Sequence, residues 1–148
     1  MATWDDVSRI ATALPETSEV GTDLLAWKVR DKSFAWDRPL RKGDLAALGD
    51  AAPDGPVLAV RVPDLAAKEA ILAEDPAVYF TTPHFNGYPA VLVRLDEIAV
   101  AELSELLEEA WLDRAPKRVA AQYLAERRGG AERRGGAERR GGAERRGG

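Results

Sequence analysis

Apolar positions set the first element. Val7, Ile10, Ala11 and Leu14 recur at three- and four-residue spacing, the period of a helix with one buried face. Thr3 suits its N-cap, Asp5 and Asp6 lie in the first turn where the helix dipole favours negative charge, and Pro15 stops the run. The pattern then shortens to strand-like runs at Leu24 to Val29, Ser33 to Trp36 and Val57 to Val62, with Asp31-Lys32 as the tight turn of a hairpin between the first two. The Gly-, Ala-, Asp- and Pro-rich stretch from Pro39 to Pro56 is expected as a loop. A second helix is expected from Pro63-Asp64 to about Glu74, with Leu65, Ile71 and Leu72 inward and Pro76 ending it. Val78 to Thr81 and Ala90 to Leu95 read as strands; Val91, Val93 and Leu95 share one face and Arg94 takes the other. Leu103, Leu106, Leu107, Ala110 and Trp111 form the apolar stripe of a third helix over Ala101 to Leu112. Pro116 suits N1 of a short last helix, with Val119 and Tyr123 inward.

The order α-β-β-β-α-β-β-α-α predicts an α+β domain: an antiparallel sheet of about five strands with helices packed on it. This domain is expected over residues 1–124. From Ala125 the hexapeptide AERRGG occurs four times and brings no large apolar residue, so residues 125–148 are expected to be a disordered low-complexity tail. Arg-Gly tracts of this kind can bind RNA or single-stranded DNA loosely; a tolerated terminus without a function is the plainer reading.

Composition removes several chemistries. There is no cysteine, hence no disulfide, thiolate nucleophile or Cys-ligated metal. A single histidine leaves zinc without its usual ligands, and neither a metal nor a cofactor is expected. No apolar run approaches the roughly 20 residues of a membrane span, so a soluble, cytoplasmic protein without a membrane partner is expected. The net charge of −4 hides a division. Eight Arg and four Glu in the tail leave 13 basic and 21 acidic residues in the body, a balance of −8 against the tail's +4. Affinity for a phosphate backbone comes from Lys and Arg, so an acidic body needs a locally basic face to bind one.

Two groups of residues could supply a site. The first is the stretch TTPHFNGYP, which holds His84. His84 can fix a turn through a local hydrogen bond, contact a ligand or act as a base. A base needs an orienting carboxylate and a nucleophile, and no G-x-S-x-G elbow supplies one. Pro83, Gly87 and Pro89 shape the turn. Phe85, Asn86 and Tyr88 offer two rings and an amide, suited either to stacking on a planar ligand or to burial. The second group is basic. Lys28, Arg30 and Lys32 alternate and are expected on one face, which Arg94 can share; Lys117 and Arg118 begin the last helix. Converged, they would form a patch for phosphate; otherwise they are a solvated face paired with acids such as Asp31, Asp37 or Asp96. Trp27 alternates with Lys28 and is expected to face the helices.

Four stretches carry a family resemblance: TWDDVSRIATALPET at Thr3 to Thr17, AWKVRDKSFAW at Ala26 to Trp36, ILAEDPAVYFTTPHFNGYPAVLVRLDEI at Ile71 to Ile98, and LSELLEEAWLDRAPKRVA at Leu103 to Ala120. The TPH-x-x-GYP and APKR runs are the most specific. On these the chain resembles the MmcQ/YjbR family of small bacterial proteins. The resemblance implies a compact α+β domain described as a double-wing DNA-binding fold, and no established reaction. Three positions depart from the family pattern. The Pro39 to Pro56 loop is longer and less charged, Ala90 replaces a large aromatic after GYP and opens space beside His84, and Ala99-Val100 lacks an Asp cap worth about 1 kcal/mol. The expected function is therefore a small non-enzymatic protein with DNA as partner. The alternative is a small-molecule or protein-binding module with a pocket near His84, Trp27 and Tyr88.

Overall fold

The computed structural model describes residues 1–128. It divides into two compact units, Met1–Ala115 and a second that begins at Pro116. The first opens with α1 (Trp4–Thr12), whose cap is reciprocal: the Thr3 hydroxyl accepts from the Asp6 amide and the Asp6 carboxylate accepts from the Thr3 amide. There follow β1 (Thr17–Val20), β2 (Ala26–Val29), β3 (Lys32–Asp37), α2 (Lys42–Leu48), β4 (Val57–Arg61), α3 (Leu65–Glu74), β5 (Tyr79–Phe80), β6 (Ala90–Arg94) and α4 (Val100–Arg114). In the second unit residues 117–128 form α5, entered by a bond from the Ala120 amide to the Pro116 carbonyl.

The strands make one antiparallel sheet in the order β1-β2-β3-β4-β6-β5. Register assigns its two faces, because directly paired residues point the same way. Trp27, Ala35, Val60 and Val91 lie in one row, with Leu58, Val93 and Tyr79 on the same face. α1 and α4 cover that face. Trp4 stacks on Trp27 with ring centroids 6.2 Å apart, the Tyr79 hydroxyl donates to Glu102, and Trp111 Nε1 donates to the Pro15 carbonyl at 3.0 Å. Leu103, Leu106, Leu107, Ala110 and Trp111 are all buried, as their spacing predicts. The opposite face carries Trp36, Ala59, Leu92 and Phe80 in one row. Val57, Phe85 and Ala90 complete its core, and Leu40 and Leu48 pack on it.

The architecture is the expected α+β sheet, with six strands rather than about five and one helix more. β1 is an edge strand with three of its four residues exposed, so it carries no alternation to read. α2 occupies the stretch expected as a loop; Asp44 accepts from the Arg41 amide at its start, and Gly49 ends it at a φ of +56°. In α3 the expected inward Leu65 is 45% exposed, Ile71 and Leu72 are half-buried, and the buried residue is Lys68. The β2–β3 turn falls on Arg30-Asp31, one residue earlier than expected. Residues 125–128, the first four of the tail expected from Ala125, are helical; the rest of that tail lies outside the described residues.

Gly21 joins β1 to the segment leading into β2. Its φ is +99°, and a Cβ there would stand 2.1 Å from the Leu24 carbonyl oxygen. Gly21→Ala is expected to cost about 1–3 kcal/mol in urea unfolding and to displace residues 21–25.

Candidate functional site

On the second sheet face, at the C-terminal end of β3, the chain leaves the sheet through Asp37, Arg38, Pro39, Leu40 and Arg41. Across from it stands the His84 turn. Between them lies an open groove of about 730 Å³, lined by Trp36 and the 37–41 segment on one side, residues 84–88 on the other, and Leu24 at the rim. That volume falls within the range of small-molecule sites.

The turn is built locally. Thr82 is extended, residues Pro83–Phe85 form one 3₁₀ turn, and Gly87 takes a φ of +75° that favours glycine. Ala90 N donates to the Tyr88 carbonyl at 2.8 Å as the chain enters β6. The turn is also held from beneath. Lys68 Nζ, 6% exposed, donates to the carbonyls of Phe85 at 2.6 Å and Tyr88 at 2.8 Å. Burial pushes the Lys68 ammonium below its ordinary pKa. Phe85 is thereby seated in the core, while His84, Asn86 and Tyr88 stay exposed. The Arg61 guanidinium lies over the Tyr88 ring, 5.1 Å from its centroid.

The facing wall rests on a buried ion pair. Arg38 and Asp44 meet at 3.1 Å, with side chains only 7% and 6% exposed. Arg38 also donates to the Pro39 carbonyl and stands over the Phe85 ring at 5.3 Å. Burial would raise the Asp44 pKa; the Arg41 amide, the Arg38 charge and the Thr82 hydroxyl outweigh it and hold the carboxyl below its ordinary value of 3.8. Asp37, on the groove wall, has no such compensation, and burial raises it.

The groove includes His84, Phe85, Asn86 and Tyr88 from the sequence reading, but not Trp27. Trp27 is fully buried on the other face and donates to Glu19, as its alternation with Lys28 predicts; Trp36, one position beyond Ala35, takes the place at the groove. The basic residues are spread out. Lys28 points to the groove-bearing face, but Lys32 pairs with Val29 and points to the opposite one. Arg30 sits in the turn at a φ of +55° and pairs with Glu16. Their expected common face is thus lost to the hairpin turn and to a bulge between Trp27 and Lys28. Arg94 shares the face of Lys28 but lies three strands away, about 14 Å across the sheet at ordinary strand spacing, and towards the other end of the strands. It donates to the carbonyls of Pro76 and Ala51 and covers Phe80 at 4.5 Å. Lys117 and Arg118 are exposed at the start of α5.

Arg38, Arg41, Lys68 and Asp44 went unnoticed in the sequence. The cluster of Arg38, Arg41 and Lys42 around Pro39 was the one available signal. Among the described residues, no group of three or more His, Asp or Glu is placed to hold a metal ion, and no helix is long and apolar enough to cross a membrane.

The chain matches a known group. The YjbR family model matches residues 12–112, and the chain belongs to the YjbR family. It is 54% identical over 128 residues to Uncharacterized protein Rv2570 of Mycobacterium tuberculosis and to Uncharacterized protein Mb2600 of Mycobacterium bovis, covering 84% of this chain and 98% of each relative. The crystal structure of Deinococcus radiodurans protein DR2400, described as a DUF419 domain, is similar with a TM-score of 0.53 and 27% identity, over 76% of this chain and 78% of that one.

Removing either buried charge is expected to loosen a wall of the groove. Lys68→Met removes the second donor from the Phe85 and Tyr88 carbonyls, which keep only the Tyr88 and Ala90 amides, and should cost about 2 kcal/mol in urea unfolding, with faster amide exchange confined first to residues 85–90. Asp44→Asn leaves Arg38 buried without its partner and should cost about 3 kcal/mol at pH 7. The sign with pH follows from the lowered Asp44 pKa: the unfolded chain binds this proton more readily, so the stabilisation is complete above about 3.8 and is lost as pH falls through the folded value. A pH series of unfolding midpoints should show Asp44→Asn lacking that component of acid sensitivity.

Proposed function

We propose that this chain is a non-enzymatic binding domain that takes a small planar ligand in the groove between residues 36–41 and 84–88. The observation that carries the reading is the groove lining itself. Trp36, His84 and Tyr88 offer ring surface beside two arginines and the Asn86 amide. Flat ring faces suit a planar ligand, and an amide can fix its edge.

Nucleic acid is the second reading. It is favoured by Lys28, Lys32, Lys117 and Arg118, which make no ion pair within 4.0 Å among the described residues, and by the exposed rings of His84 and Tyr88, on which a base could stack. Against it stand the −8 balance of residues 1–124 and the engagement of Arg30 and Arg94 within the fold.

Two measurements separate these readings. Planar heterocycles titrated into the labelled protein should shift the amide resonances of residues 36–41 and 84–88, and Tyr88→Ala should weaken that binding about tenfold, the equivalent of 1.4 kcal/mol. Fluorescence anisotropy with DNA and RNA across a salt series, on the full chain and on a chain ending at Arg128, tests the rival. Salt-sensitive binding that survives truncation, with no heterocycle response, would replace the groove reading by nucleic-acid binding on the folded part.

A further inference from the structure

Resting on the groove as a ligand site, we propose that its ligand carries an oxyanion, a carboxylate or a phosphate, held by Arg41 and His84 in a second hollow at the groove's end. This hollow, about 290 Å³, is lined by Arg38, Arg41, Gly43, Asp44, Pro83 and His84. It shares Arg38, Arg41 and His84 with the groove, so one ligand can reach both.

The charges differ between the two compartments. Asp37 lines the groove only. In the hollow the one carboxylate is Asp44, which is 5% exposed and already engaged by Arg38 and the Arg41 amide. Arg38 and Asp44 offset one another, and the Arg41 charge remains. Arg41 is exposed and makes no ion pair among the described residues, so its planar fork is available to two oxygens at once. His84 adds a ring nitrogen that can donate to the same group. Arg38, fixed by Asp44, the Pro39 carbonyl and Phe85, keeps the hollow from collapsing. Gly43 lines the hollow, and a Cβ built there meets nothing within 4 Å, so a larger side chain can be placed at that position. A ring seated against Trp36 and Tyr88 would thus direct an acidic substituent away from Asp37 and towards Arg41.

Matched probes test this on the full chain. Indole-3-acetate is compared with indole-3-acetamide, and adenosine 5′-monophosphate with adenosine, by amide chemical-shift titration, which also locates the binding. The charged member of at least one pair should bind ten-fold or more tightly than its neutral partner, with shifts at Arg41, Gly43 and His84. A preference in the indole pair identifies a carboxylate, and one in the adenosine pair a phosphate. Arg41→Gln should abolish the preference, leaving the charged and neutral members of each pair bound equally. Gly43→Leu, at a helical position without backbone strain, should do the same by filling the hollow. Equal binding of charged and neutral probes in the groove would overturn the oxyanion site and leave the groove reading standing. A preference that survives both substitutions would overturn it too. No binding by any of the four probes would sink both.

Discussion

Lys68 reaches from α3 beneath residues 85–88 and donates to two backbone carbonyls, and the shape of the groove depends on that contact. A buried ammonium loses its hydration, and only close acceptors offset the loss. Here the acceptors are two carbonyls of the turn, each of which takes one local amide and has its second lone pair free for the ammonium. The cation and the turn therefore fix each other. With the carbonyls drawn inward, Phe85 enters the core, and His84, Asn86 and Tyr88 are left on the outer surface. These exposed residues are displayed because their backbone is anchored, which is how a loop can hold a defined geometry.

The Arg38–Asp44 pair acts in the same way on the opposite wall. A buried ion pair is weak evidence for stability, since desolvation cancels much of the attraction. Its effect is on geometry. It ties the chain leaving β3 to α2, a helix of seven residues that would be marginal without a tertiary partner. Phe85 links the two walls: its carbonyl accepts from Lys68 and its ring lies under Arg38. The space between the walls is thus held by charges set against an apolar layer of Val57, Ala59, Ala90 and Leu92. Ala90 and Ala59 are small, and the aromatic rings of Trp36 and Phe85 pack over them.

Elements with a strong apolar period were legible in the sequence. α4 shows its stripe of five buried residues, and β4 and β6 are continuous aliphatic runs because both their faces are covered. The elements missed have no such signal. β1 exposes most of its residues at the sheet edge, and α2 buries Asp44 rather than a leucine stripe. The orientation of α3 was misread for a related reason. Leu65 reads as an inward position by spacing, and a tertiary contact, Lys68 with the carbonyls of Phe85 and Tyr88, turns the helix the other way. Half of the groove was readable, since TTPHFNGYP announces a turn that presents rings. The other half was not, because Trp36, Arg38 and Arg41 reach the turn only through the pairing of β3, β4 and β6, which no local pattern contains.

The same reasoning decides what the cations of the folded part can do. Lys28, Lys32, Lys117 and Arg118 make no ion pair among the described residues but sit on separate elements, and five further cations, Arg30, Arg38, Arg61, Lys68 and Arg94, take no part in a phosphate-binding face. In the fold each is engaged internally, with Arg30 on Glu16, Arg38 on Asp44, Arg61 over Tyr88, Lys68 under the turn, and Arg94 on two carbonyls over Phe80. Extended phosphate backbones are bound by many mobile, solvated cations at once, each releasing counterions. Cations already committed to carboxylates, rings and carbonyls release few. What they supply instead is a rigid frame in which one uncommitted arginine, Arg41, stands beside a planar slot. On the proposed reading, such an arrangement would take one charged group at a fixed distance from one ring, which a compact ligand would satisfy better than a polymer.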